Sequence, residues 1–550
     1  MMKASDLLVK CLENEGIEYI FGVPGEENAD FMMSLEKSDK IKFILTRHEQ
    51  GAAFMAEVYG RLKGTPAVCL GTLGPGATNL ITGVADANMD RSPMIVLTGQ
   101  GSTHRLHKES HQIMDVIKMF EPVTKWATSI VNADTIPEIV RKSVRIARSE
   151  KPGAVLIELP EDIAKCKTTS VPMSTRRFRR SIPAEHIIDD AVMRIKKAKF
   201  PVIIAGNGCV RKRTTEPFRS LVKNTGIGVL NTFMAKGVLI PDQPESLYTI
   251  GLGVTDIGSC AIESSDLVIC IGIDMVEYQP SLWNSKGNKE IIHIDFIPAE
   301  IDQHYHPQIE LIGDLADTLT LLDEKIRRSD VYFEPEKRDV IREAIKKELN
   351  EHNNAVDIGV IKPQKVLHEV QKIFGKNGLV LSDVGAHKMW VARHYHCEIP
   401  NGCLIPNGFC SMGFALPGAI AASIVEPQRN ILAIVGDGGF LMNVQEMETA
   451  SRLNSNITIM VWEDREYGLI AWKQWAEHGR HTDLSFNNPD WKKLAEAFSW
   501  HYQFVDESAK LAGALEKSNK YDGPSLIVIP IDYRENKLLT KRLGEITCNI

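Results

Sequence analysis

An α/β protein with parallel sheets is the fold class that this 550-residue sequence predicts. Three observations predict it. Short apolar runs recur along the chain, each followed by Gly, Pro or Asp and then by a stretch of helical character. Polar, charged connectors part these runs into three regions, as the length requires, since one core does not serve so long a chain. Two apolar runs of the third region end in carboxylates with one helix between them. A right-handed crossover brings both acids to the same edge of a parallel sheet.

The first region, 1–164, carries apolar runs at 67–70, 94–97 and 154–159. Its opening residues, MMKASDLLVKCLENEG, read as an ordinary amphipathic helix and not as a signal peptide. A polar connector with Arg176, Arg177, Arg179 and Arg180 follows, readable as a solvated linker or as an anion patch. The second region, 183–320, has runs at 202–205, 267–271 and 291–294. Gly206-Asn207-Gly208 there lacks the third glycine of a dinucleotide turn and reads as a plain strand-to-helix turn. Residues 321–360 are dense in charge and suit an exposed helix leading to the third region, 362–532; the last residues read as a surface tail. Regions one and three share a theme of apolar strand, Gly-rich turn and helix, without a sequence repeat that would prove duplication.

Composition excludes some functions. Hydrophobic residues make up 43%, charged residues 25%, and the net charge is −7, so neither nucleic acid nor an anionic membrane is the expected partner. The ten cysteines form no C-x-x-C pair, and Cys69 and Cys270 lie in apolar runs, as in a reduced chain. No apolar run reaches the length of a membrane span, and a cytoplasmic protein is expected.

The chemistry concentrates at 431–468. An apolar run ends in Gly436-Asp437-Gly438-Gly439, and a second ends in Glu463-Asp464, followed by Glu466 and Tyr467-Gly468. Strand-end acids beside glycines suit Mg²⁺ held with phosphate oxygens: Asp437 and Asp464 through side chains, Glu466 through its backbone carbonyl. Upstream, Ser382-Asp383-Val384-Gly385-Ala386-His387 leaves another apolar run. His387 and nearby N–H groups could hold the diphosphate; Asp383 capping a helix with His387 on its first turn reads equally well. In region one, Glu49 of Arg47-His48-Glu49-Gln50 shares a helix face with Ala52, Ala53, Ala56 and Gly60. Such a face permits close approach of another backbone, so a buried Glu49 needs a proton or a specific partner. Pro24-Gly25 and Gly71 to Asn79 supply Gly-rich walls.

Pro24-Gly25, the Arg47–Gln50 run, Gly74-Pro75-Gly76-Ala77-Thr78-Asn79 and Gly436-Asp437-Gly438 with Asp464 together resemble the thiamine-diphosphate-dependent enzymes. Among these the chain is most similar to the FAD-independent, catabolic acetolactate synthases. The resemblance implies three doubly wound parallel-sheet domains: pyrimidine-binding (1–164), central (183–320) and diphosphate/Mg-binding (362–532). It implies thiamine diphosphate and Mg²⁺ held by Pro24, Gly25, Glu49, Ser382, Gly385, His387, Met412, Gly436, Asp437, Gly438, Gly439 and Asp464. It also implies a homodimer or homotetramer in which Glu49 faces the clamp of another subunit and promotes the imino form of the aminopyrimidine. Met412 would hold the cofactor bent, and Gln112 would contact substrate, with His111 a weaker candidate.

The reaction implied is loss of CO₂ from pyruvate through an enamine on the cofactor, which adds to a second pyruvate to give 2-acetolactate for branched-chain amino acid or acetoin biosynthesis. Other 2-keto acids could serve as acceptor, and a related 2-keto acid decarboxylase or carboligase is the alternative. Gly272-Ile273-Asp274-Met275-Val276-Glu277-Tyr278 departs from the flavin-binding run Gly-Ala-Arg-Phe-Asp-Asp-Arg, so no FAD is expected. Lys473 stands where relatives carry Trp or Gln; it reads as a partner for the acceptor carboxylate or as a snorkelling surface lysine.

Overall fold

Three six-stranded sheets, each parallel throughout, organise the chain in a computed structural model that describes residues 1–175, 180–211, 213–251, 257–351 and 353–536. Arg176, Arg177 and Arg179 of the connector, and the tail from 537, lie outside the described residues. The first sheet runs, in spatial order, Lys42–Leu45, Tyr19–Gly22, Ala67–Gly71, Met94–Gln100, Ala154–Pro160 and Trp126–Ser129. The third runs Cys403–Leu404, Leu379–Ser382, Ile431–Gly436, Thr458–Glu463, Ser525–Pro530 and His501–Phe504. Strands buried on both faces are near-continuous apolar runs, as in the wholly buried Ala67–Gly71 and the first four residues of the wholly buried Met94–Gln100.

Numbered within each unit, the strands of the first and third sheets share the order 2-1-3-4-6-5, whereas the central sheet has 3-2-1-4-5-6. The common order is a likeness between units one and three that the sequence did not display. In each sheet the chain leaves two adjacent strands in opposite directions, and that switch point is where an open α/β sheet offers a crevice at its carboxyl edge. Pro24-Gly25 and Thr72 flank the first crevice, Gly206 and Gly272 the central one, and Gly385 and Gly436 the third.

Units one and three share one hydrophobic core that joins Phe21, Phe54 and Val96 to Leu381, Phe414 and Val435. The helix Glu49–Lys63 is its axis, capped by the His48 side chain at the start and by left-handed Gly64 at the end. It packs against Pro75–Met89 of its own unit and Ala415–Val425 of the third, and Phe54 meets Phe414 edge-on at 5.8 Å. The small-residue face predicted around Glu49 therefore receives its close neighbours from within the chain. The central unit has cores of its own. Among the described residues, no helix is long and apolar enough to cross a membrane.

Candidate functional site

At the third switch point the strand Ile431–Gly436 delivers Asp437 as the first residue of the helix Asp437–Met442. Asp437 is 1% exposed yet surrounded by donors. Its Oδ1 accepts from Gly438 N at 2.9 Å, and its Oδ2 from Arg465 N and Asn488 Nδ2, each at 2.7 Å. Asp464 follows the neighbouring strand. Burial, then the charge of Asp437, pushes its carboxyl up to about 8. A side chain on Gly468 would stand 2.4 Å from Asp464 Oδ2, so only glycine leaves that oxygen clear. The Glu466 side chain turns away, with Oε1 3.4 Å from Ser485 Oγ and 3.1 Å from His481 Nε2.

His387 lies on the first turn of the helix Ala386–His394 and is 2% exposed. Its ring lies close to Gly385, at φ 156°, and to Gly436. Burial drives the imidazole down to about 3, so it is neutral, and its Nε2 is buried without a partner. A buried, unpaired ring nitrogen beside a helix start, at the same edge as two strand-end acids, is a group able to take a hydrogen bond from a ligand or give one to it. Buried Ser382 turns its hydroxyl onto the Asp383 carbonyl at 3.0 Å. Half-buried Met412 sits in the loop between Cys403–Leu404 and Ala415–Val425.

The first unit gathers the other predicted residues. Glu49 is 8% exposed, and its Oε2 accepts from Asn79 Nδ2 at 3.0 Å, the specific partner that burial demands. Gly25 N donates to Asn28 Oδ1 at 3.2 Å just after Pro24. Exposed Gln112, at φ 58°, lies over Gly74. His111 is exposed. The structure thus assembles two half-sites. Among the described residues no hydrogen bond or ion pair joins Glu49 to Asp437, Asp464 or His387 within one chain.

Two residues of the site, Asn488 and Glu446, escaped the sequence reading, and a third, Asp383, reads there only as a helix cap. Asn488 orients Asp437, and also donates to Glu463 Oε1 at 3.0 Å; it sits in a polar loop without a period to mark it. Asp383 accepts from Val384 N and Gly413 N, which makes it a backbone anchor and not simply a helix cap. Glu446, wholly buried, accepts from Arg47 N at 3.1 Å and His48 N at 3.0 Å, and so holds the turn that leads into Glu49. An acid beside buried Met447 and Ala450 was the available signal. Lys473 is exposed on the helix Gly468–His478.

Family comparisons match the same three parts of the chain. The N-terminal thiamine pyrophosphate binding domain of thiamine pyrophosphate enzymes matches residues 2–119, the central domain 188–322, and the C-terminal thiamine pyrophosphate binding domain 383–529. An acetolactate synthase of Bacillus subtilis (strain 168) is 33% identical, with 99% of this chain and 96% of the relative covered. A catabolic acetolactate synthase of Raoultella terrigena is 34% identical over 98% of this chain and 97% of its own. A probable acetolactate synthase large subunit of Methanococcus aeolicus is 32% identical over 96% and 92%.

Proposed function

Because the chain belongs to the thiamine pyrophosphate enzymes, in their acetolactate synthase branch, we propose that it joins two molecules of pyruvate into 2-acetolactate and CO₂ at a site completed by a second copy of itself. The observation that carries the cofactor assignment is the unpartnered His387 Nε2 together with the buried strand-end acids Asp437 and Asp464. A divalent cation beside Asp464 would favour its charged form, and hard carboxylate oxygens with a backbone carbonyl suit Mg²⁺. Asp437 and Asp464 would supply side chains. Glu466, whose carboxylate is engaged by Ser485 and His481, would supply its carbonyl. His387, with Ser382, Gly385, Gly436, Gly438 and Gly439, would hold the diphosphate.

When bound, thiamine diphosphate supplies a carbanion at its thiazolium ring and an electron sink for decarboxylation. The chain's residues supply the rest. Glu49 of a second copy would exchange a proton with the aminopyrimidine, and Asn79 keeps that carboxylate aimed. Met412 would hold the bent shape of the cofactor, Pro24 and Gly25 would line the pyrimidine, and Gln112 would meet substrate. The family resemblance implies a homodimer as the minimal enzyme, and a tetramer would keep the same pairing.

The proposed mechanism assigns no role to a flavin. At the central switch point Asn207 N donates to both oxygens of Glu277, at 3.2 and 3.0 Å, which occupies the amide a nucleotide phosphate would need. Lys151 bonds Asp274 at 2.7 Å across the same edge. Mg²⁺-dependent conversion of pyruvate to acetolactate tests the proposal, with 2-ketobutyrate added to probe the acceptor. Acetaldehyde as the sole product would replace the synthase reading by that of a decarboxylase. The enzyme is proposed to be cytoplasmic.

A further inference from the structure

The loop 406–413 carries Met412, and its backbone is tied down by carboxylates from two units. Asp90 accepts from Asn407 N at 3.1 Å and from Gly408 N at 2.7 Å. Asp86 Oδ1 accepts from Ser411 N at 3.1 Å. Asp383 accepts from Gly413 N at 3.0 Å, and Asn443 Nδ2 donates to Gly413 O at 2.8 Å. Asp86 and Asp90 belong to the first unit, at the end of the helix Pro75–Met89; Asp383 and Asn443 belong to the third. All four side chains are nine-tenths or more buried. Ser411 and Gly413 flank Met412, so the amide on either side of that residue rests on an acid.

We propose that Asp86 is a positioning residue for Met412: from the pyrimidine-binding unit it fixes the amide before Met412, as Asp383 fixes the one after it. This rests on the reading of Met412 as the group that holds the cofactor bent. A methionine side chain is flexible and places a neighbour only as well as its backbone is placed. Asp383 links that backbone to the clamp, because its carboxylate also lies against Gly439. Asp86 links it to the first unit, behind Asp86 stand Glu57 and Asp90, and the ligand oxygens of the three lie within 4.8 Å of one another. Three carboxyls so close cannot all be charged even beside the guanidinium of Arg61, 3.3 Å from Asp90, and the more distant ammonium of Lys388. Burial pushes Asp86 up to about 8, so it meets Ser411 as a neutral acid, which asparagine imitates in shape. Replacing Asp90 would also break its ion pair with Arg61, so Asp86 is the cleaner probe.

The test uses the full-length enzyme with thiamine diphosphate, Mg²⁺ and pyruvate. Asp86→Ala, Asp86→Asn and Met412→Ala are compared for kcat, pyruvate KM and the near-ultraviolet circular dichroism of the bound cofactor. Asp86→Ala is expected to lower kcat roughly 10- to 100-fold, the cost of a misplaced reacting group, with KM little changed and an altered cofactor spectrum. Asp86→Asn, which keeps the acceptor oxygen, is expected to recover most of that loss. Wild-type kcat in Asp86→Ala beside a crippled Met412→Ala would overturn the positioning role. Equal damage from Asp86→Asn and Asp86→Ala would overturn it too, by showing a general structural need. Near-normal kcat in Met412→Ala would instead overturn the reading beneath it. Should Asp86→Ala not fold, Asp86→Ser, polar but too short to reach Ser411, takes its place with the same outcomes.

Discussion

Glu446→Ala removes a buried acceptor on which two part-buried amides depend. In the wild type its carboxylate receives Arg47 N, His48 N and the Thr449 hydroxyl, the last at 2.6 Å. A buried donor left unpaired costs about 1–3 kcal/mol, so the two part-buried amides cost at most about 2–6 kcal/mol locally, before any relaxation. The cost falls on the turn that opens the helix Glu49–Lys63, where a side chain on Gly51 would stand 2.7 Å from Glu446 Oε1. At 1.4 kcal/mol per factor of ten, native-state hydrogen exchange in the segment 46–53 should quicken roughly thirtyfold to more than a thousandfold, while the central unit keeps its protection. Turnover of pyruvate should fall with it, because Glu49 loses its footing. Glu446→Gln retains one acceptor oxygen and should lose less of both. Unchanged exchange in that segment, or wild-type turnover by Glu446→Ala, would refute the reasoning.

Other expectations follow from the same side chains. Asp86 has its carboxyl raised from 3.8 to about 8, so its stabilising share is whole below pH 3.8, declines across that window and is gone above it. Thermal midpoints of wild type should therefore fall relative to Asp86→Asn as pH rises from about 5 to about 9; a constant difference would contradict this. His387, driven down to about 3, stays neutral, so cofactor half-saturation should show no step near the ordinary histidine value in wild type. Replacing His387 by Ala should raise that half-saturation roughly tenfold, the loss of one hydrogen bond to a charged group, measured by titrating apoenzyme. Stripping the divalent ion with a chelator should abolish turnover, Mg²⁺ should restore it, and Asp437→Asn should not be restored.

Much of this protein is legible in its sequence, for a physical reason. A parallel strand buried on both faces reads as a near-continuous apolar run, and a phosphate crevice needs glycines and hard oxygens just past a strand end. Asp437, Asp464 and His387 announce themselves by local spacing, and the family resemblance adds Glu49 and Met412. Residues that act across the chain carry no such period. Glu446 reaches Arg47 and His48, Asn488 reaches Asp437, and Asp86 reaches Ser411, each between segments far apart in the chain. Their meaning depends on which helix ends a sheet order brings together, and no window of sequence contains both partners. The shared strand order of units one and three was hidden likewise, because sheet order is set by crossovers and not by composition. The sequence by itself determined the fold class and picked out the acids proposed as the clamp. Tertiary structure decided that the close neighbours of the Glu49 helix come from its own chain, and which buried acids hold the catalytic backbone. A buried carboxylate must find its donors wherever the fold presents them.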